Sequence, residues 1–372
     1  MAVILAVVLI GVIVAAVIFG RGGAEKLDVA TGNTEKIRVI AGSEKMAFFN
    51  DPAVKARLKE LGMTLEVTPS GSRKISTRQD LKEFDAAFPS SAPAAEKIAR
   101  ETSPQGMYTP FHSPMAIATF DTIVAFLEKH AVVQRDGVWY LDMEKYLALA
   151  SSGKGWRDIS KDFPSPLGIQ ISSTDVRSSN SAAMYLSIAA WVANGGNVPA
   201  TDAEVTKAVA KVSPLFTHQG YTGGSSAGPF AEYLSQGIGA RPMVMIYESQ
   251  FLGQQIADPT VIRPSMRLVY LDPTIASQHT LLAYSENGDK LGDALANDST
   301  LQRLAATHGF RPNLHGEFEL TLSDHGIDTP PAYLPTGNPP DFDRLEELIE
   351  GVSAQYSSSE PPEGAPEQWS SG

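Results

Sequence analysis

The sequence predicts an α/β protein built as two lobes. Short apolar runs of strand length alternate with helix-patterned segments twice along the chain, and a hairpin signal at Asp136-Gly137 interrupts the alternation. In the first stretch of alternation, three strand ends run into Gly/Ser turns, two of them leading into helices. With 372 residues, 43% hydrophobic and 19% charged, the chain is globular and long enough for two cores.

Taken in order, residues 1–20 carry no charge and are almost wholly aliphatic. At ~1.5 Å rise per residue they span ~30 Å, about one bilayer core. A basic segment before the apolar run and a small-x-small cleavage site after it are both missing, so the run reads as an uncleaved transmembrane anchor. Arg21 and Lys26 follow it and nothing basic precedes it, a pattern that by charge alone favours a cytoplasmic body. Residues 21–35 read as a polar linker. A strand over 36–41 then runs into Gly42-Ser43. Asn50-Asp51-Pro52 caps a helix whose apolar face is Val54, Leu58 and Leu61. Met63, Leu65 and Val67 alternate as a second strand, closed by the turn Pro69-Ser70-Gly71-Ser72-Arg73. A third strand over 84–88 ends in Pro89-Ser90-Ser91-Ala92-Pro93 and a helix over 94–100.

From Tyr108 the pattern changes. An extended run over 114–118 precedes a helix over 120–129, the hairpin flanks Asp136-Gly137, and 142–150 is helical. A strand over 167–171 leads into Ser172-Ser173-Thr174-Asp175-Val176-Arg177-Ser178-Ser179-Asn180-Ser181, followed by a helix over 182–193. Helices over 202–212 and 230–236, strands over 243–247, 266–271 and 279–285, and a helix over 291–308 complete the pattern. The expected division is residues 36–112 plus 266–324 for lobe one and 113–265 for lobe two. Pro, Ser, Glu and Gly dominate from about residue 329, so 325–372 reads as a mostly disordered tail, with one amphipathic helix possible over 341–356.

The decapeptide 172–181 is the stretch most suited to holding a ligand. A strand, a hydroxyl-rich turn and a helix start leave first-turn N–H groups without intrahelical partners, at the positive end of the helix dipole. Arg177 adds a planar donor fork suited to carboxylate or phosphate. In open α/β sheets ligands sit outside the carboxyl ends of the strands, where the other hydroxyl turns also fall. The 42 acidic and 30 basic residues give a net charge of −12 with no basic stripe, which argues against nucleic acid. The absence of cysteine excludes disulfides, thiolate metal sites and a lipid-anchoring cysteine. The seven histidines show no ligand spacing, so neither a metal nor another cofactor is expected. Gly224-Ser225-Ser226-Ala227-Gly228 matches the nucleophile elbow of α/β-hydrolases, with His279, His308, His315 and His325 downstream. The segment before it is polar rather than strand-like and Pro229 follows, so a Gly/Ser loop is favoured and a serine hydrolase using Ser226 stands as an alternative.

The order of Gly42-Ser43, Pro89-Ser90-Ser91-Ala92-Pro93, Thr174-Asp175-Val176-Arg177-Ser178-Ser179-Asn180-Ser181 and Tyr247-Glu248-Ser249-Gln250 resembles that of extracellular solute-binding proteins with the type 2 periplasmic-binding fold. Tyr270-Leu271-Asp272-Pro273-Thr274 and Gly309-Phe310-Arg311 fit the same order, so the resemblance covers about residues 37–311. It implies two Rossmann-like α/β lobes joined by crossing strands, closing on a ligand between them, with no catalysis. Carried over by position, the implied pocket residues are Ser43, Ser70, Ser90, Ser91, Thr174, Asp175, Arg177, Ser178, Ser181, Tyr247 and Glu248. The implied partners are a small solute and a transporter permease or another membrane protein, with the chain itself a monomer; the hydroxyl turns, helix N-termini and Arg177 favour an anionic or acid-bearing solute. The resemblance also places the body outside the cell membrane, against the charge pattern around the anchor. Such proteins are usually lipid-anchored or freely periplasmic, whereas here an apolar helix leads. A membrane-tethered sensor or interaction module on the same fold is the second alternative.

Overall fold

A computed structural model describes residues 34–219, 223–328, 330 and 334–358. The expected anchor and nearly all of the linker lie outside the described residues. Among those described, no helix is long and apolar enough to cross a membrane.

The described strands form one 10-stranded sheet that divides along a single long strand. In the first half, β1 (Glu35–Gly42) lies between β2 (Met63–Ser70) and β3 (Ala86–Phe88), parallel to both. Parallel neighbours require a crossover, and helix α1 (Pro52–Glu60) supplies the one from β1 to β2. Asp51 caps that helix by accepting from Ala53 N, and Pro52 stands in its first turn, as the sequence predicts. Helix α2 (Ala92–Thr102) follows β3 and likewise carries a first-turn proline. Because β1, β2 and β3 are parallel, their C-terminal ends share one edge, which brings Gly42, Ser70 and the Phe88–Ser90 turn together.

The dividing strand is β4 (Gly106–Phe120). Its first part pairs with β9 (Ala276–Ala283) and, at Phe111 and His112, with β10 (Arg311–Pro312). Its last part pairs on one side with β7 (Val244–Tyr247) and on the other with β8 (Met266–Asp272). The hairpin β5 (Val132–Arg135) and β6 (Val138–Asp142) forms around Asp136-Gly137, both with positive φ, and β6 runs parallel to β8. Strand 266–272, expected with the first half, therefore belongs to the second. Its Met266, Val269 and Leu271 are buried in the same core as Ile117 and Leu141. The chain recrosses only after it, where Ile275 O accepts from Met115 N and Ala276 pairs with Pro114. Two adjacent connections, β4 and the β8–β9 segment, thus join the halves.

The expected strand over 167–171 does not form. Gly168 and Ser172 make only isolated bridges, to Gly155 and Val244, in a Pro- and Gly-containing segment. The loop still delivers helix α3 (Asn180–Ala193), buried on nearly every side because its alanines and serines admit close neighbours. Helix α4 (Asp202–Val212), capped by Thr201 with Glu204 returning the contact, packs beside it. Helix α5 (Glu248–Ala257) starts directly after β7. The single helix expected over 291–308 is two, Glu286–Asn297 and Ser299–Thr307, because Asp298 caps the second through Thr300 N and Leu301 N.

The tail is also more structured than its composition suggests. Residues 342–358 form helix α6 (Phe342–Ser358), and Leu345, Leu348, Ile349 and Val352 are buried in the main core. Gly351 permits the close approach to α4, since a Cβ there would stand 2.7 Å from Val209 Cγ2. The other side of α6 reaches the first half. Arg73 clasps Glu346 with both terminal nitrogens, NH2 at 2.9 Å, and Lys97 Nζ sits 5.2 Å from the centre of the Phe342 ring. The amphipathic helix expected over 341–356 thus forms, and over that stretch the tail is packed core rather than disordered chain. The apolar stripe at i, i+3, i+4 spacing outweighs the polar composition around it.

Candidate functional site

The two halves of the sheet meet in a buried polar cluster just beyond the C-terminal ends of β1 and β3. Its centre is Lys45, which has no solvent exposure. It follows β1 in a 3-10 turn, and its Nζ donates to Glu44 Oε1 at 2.5 Å and to Ser90 Oγ. The Phe88 ring lies beneath the ammonium at 4.7 Å. Ser90 Oγ in turn donates to Glu44 Oε1, and Ser90 N donates to Ser72 Oγ at 2.8 Å. Gly42 makes this possible, because a Cβ there would collide with both Glu44 Oε1 and Ser90 Oγ.

The second half contributes from α3 and β7. Asn180 Nδ2 donates to Ser90 O at 3.2 Å and to Tyr247 Oη at 2.9 Å, linking both elements to the β3 turn. Ser277 Oγ, on β9, also donates to Ser90 O. His279 on the same strand is fully buried among Phe111, Phe310 and Tyr247. Neither of its ring nitrogens has a hydrogen-bond partner among the described residues, and Nδ1 stands 3.8 Å from Glu44 Oε1. Burial first, then the charges of Lys45 and His112, hold its pKa well below the usual histidine value, so the ring is neutral at pH 7. Burial lowers the Lys45 pKa while Glu44 acts against it. Burial also raises the Tyr247 phenol, helped by the Glu44 charge, and keeps that hydroxyl protonated.

The residues singled out from sequence do not all come together. Ser90 and Tyr247 belong to this cluster, and Ser91 is buried next to it at the N-cap of α2. Thr174 and Ser181 lie in a separate buried triangle of hydroxyls with Ser179, at 2.6, 3.0 and 3.2 Å. Ser43 is exposed, and Ser70 and Ser178 are partly so. Arg177 is half-exposed, and Asp175 engages it through Nε at 2.9 Å and NH2 at 2.6 Å. Its guanidinium lies 4.9 Å from the Tyr356 ring of α6, and its carbonyl accepts from Arg73 Nε. Glu248 is fully buried, with both oxygens taken by Arg311 at 2.7 Å and a further hydrogen bond from Tyr270. It joins β10 to the start of α5 rather than facing the cluster.

Sequence reasoning missed Glu44, Lys45, Asn180, Ser277 and His279. Most of these had a visible signal: Glu44-Lys45 continues directly from the flagged Gly42-Ser43 turn, Asn180 lies within the flagged 172–181 stretch, and His279 stood out only as a possible partner of Ser226. Ser226 stands just before the helix Ala227–Gln236 without capping it, and its Oγ donates to Gln250 Oε1 at 2.8 Å rather than to a histidine. Among the described residues, no strand runs into this serine and no histidine hydrogen-bonds to it, as a nucleophile elbow would need.

No protein-family model matches the sequence, and no curated protein matches it. Solved structures match over most of the chain. The substrate binding protein of the ABC transporter from Agrobacterium tumefaciens aligns with a TM-score of 0.55 at 12% identity, over 88% of this chain and 96% of that one. Iron-bound HitA from Pseudomonas aeruginosa aligns at 0.54 and 11% identity, over 87% and 99%. The sulfate-binding protein SubI from Mycobacterium tuberculosis H37Rv aligns at 0.50 and 14%, over 86% and 98%. The fold is the periplasmic-binding-protein fold. At these identities the likeness concerns the path of the backbone, and the polar cluster lies where that fold brings its two halves together.

Proposed function

We propose that this chain is an extracytoplasmic solute-binding protein that holds a small anionic or acid-bearing solute between two closing lobes, for delivery to an ABC-type transporter. The observation that carries the reading is the composition of the buried cluster. A lysine, several hydroxyls, an amide and a neutral imidazole come from both halves of the sheet, between two connections suited to act as a hinge. Lys45, rather than Arg177, is the cation placed to read the solute's charge, because Lys45 is enclosed within the cluster whereas Arg177 is half-exposed and lies outside it. The 1–20 apolar run tethers the body to the membrane, with the body outside.

The test is a thermal-shift screen of the purified body, residues 34–358, against oxyanions, small carboxylic acids and uncharged sugars. A ligand that binds only the folded state raises the melting temperature by mass action. Anions that raise it in the wild type and fail to do so in Lys45→Met support the reading. A rise confined to sugars or to cations, or an equal rise in Lys45→Met, overturns it.

A further inference from the structure

We propose that Glu44 is a built-in competitor for the solute: its carboxylate occupies the anion position of the site and swings out to solvent when a solute anion takes its place. This inference rests on the solute-binding reading above. One carboxylate oxygen, Oε1, collects the Lys45 ammonium at 2.5 Å and the Ser90 hydroxyl, and lies 3.8 Å from His279 Nδ1. A cation, a hydroxyl donor and an unpartnered imidazole around one oxygen form an anion site, and the anion in it belongs to the protein. Neighbouring residues in a helical turn do not ordinarily face each other. Glu44 reaches the pocket by folding back over Gly42, the position where a side chain would block it.

The two partners of this pair are not equally committed. The Lys45 side chain is wholly enclosed, whereas the Glu44 side chain retains 11% exposure and lies on a three-residue turn at the rim. Lysine therefore stays, and glutamate has a path to water. If Glu44 left alone, an uncompensated ammonium would remain buried, an arrangement proteins avoid. An incoming anion removes that penalty, because Lys45 is then never left without a counter-charge. Such an exchange rejects uncharged solutes, which have nothing to offer Lys45 in return. His279, with no partner while Glu44 holds the site, gains one from any anion with an oxygen beyond those that meet Lys45 and Ser90.

The alternative is that Glu44 is the permanent partner of Lys45. Titration calorimetry of the body with inorganic sulfate and with acetate separates the two, using wild type, Glu44→Ala and the near-isosteric Glu44→Gln, each checked for native circular dichroism. Displacement predicts that the anion bound by the wild type binds both variants at least about tenfold more tightly, since no resident charge competes. It also predicts that this anion restores the melting temperature the variants lose. Should one variant fail to fold, the other carries the comparison. Anion affinity unchanged or weaker in the folded variant overturns displacement while leaving the solute-binding reading in place. Neither anion binding to any of the folded proteins removes the anion reading of the site, and displacement with it.

Discussion

Glu248 and Arg311 form a fully enclosed ion pair, with Nε to Oε2 and NH2 to Oε1 both at 2.7 Å, joining the start of α5 to β10. One member follows a strand of the second half and the other pairs with His112 in the first, so the pair stands beside the β4 crossing.

Removing one member of this pair strands the other charge in the interior. Glu248→Gln or Arg311→Met is expected to lower stability by ~3–5 kcal/mol, and the double replacement by less than the sum. Tyr270→Phe removes one hydrogen bond to Glu248 and is expected to cost about 1–2 kcal/mol. Urea denaturation of the four proteins checks this. Strict additivity would show that the two side chains do not act as a pair.

Arg177 is the residue that sequence alone made the anion reader, and the structure leads to a different expectation. It is half-exposed and already bound to Asp175, so Arg177→Ala is expected to change solute affinity by less than ~1 kcal/mol. Lys45→Met, in contrast, should abolish measurable anion binding. Calorimetry on the two variants decides between the cations, and a large loss in Arg177→Ala would return the site to the 172–181 loop.

His279 gives the protein a defined acid sensitivity. Its folded pKa lies well below 6.5, so below about that pH the unfolded chain holds a proton that the folded chain does not. Its contribution to stability is therefore full above pH 6.5 and falls as pH drops toward the folded pKa. His112, lowered mainly by burial, acts in the same direction. Urea midpoints between pH 7.5 and 5.0 should decline in the wild type and decline less in His279→Leu. Parallel slopes would assign the effect elsewhere.

Helix α6 should behave as core. Leu348 is fully buried, so Leu348→Ala is expected to cost ~2–5 kcal/mol. Glu346→Ala removes a partly screened pair with Arg73 and should cost no more than about 1 kcal/mol. Chemical denaturation of the two variants checks the contrast, and a Leu348→Ala protein as stable as the wild type would mean that α6 is a detachable tail.

The elements were legible wherever a local rule governs them. The cap at Asp51-Pro52 and the Asp136-Gly137 hairpin each lie within a few residues of sequence, and each forms. Strand partnership is different, because nothing local to residues 266–272 says whether they pair with β4 before or after its crossing. Site chemistry was half visible for the same reason. Turns rich in serine stand out, whereas Lys45 and Glu44 look like surface charges until Gly42, Ser90 and His279 are seen to enclose them. Arg177 erred in the opposite direction, since Asp175 two residues away was a visible candidate partner but sequence could not say whether Arg177 would bind it or a ligand.

The course of α6 has a consequence for how the molecule is made. Every helix and strand that α6 packs against is synthesised before it, so Val205, Val209 and their neighbours stay open to water until residues 345–352 exist. Chains fold from their N-terminal end as they emerge. Here the segments before α6 carry an apolar groove that only α6 covers, and α6 also fastens that groove to Arg73 and Lys97. A chain ending before residue 345 is therefore expected to expose that apolar groove and to aggregate rather than fold to a smaller working protein.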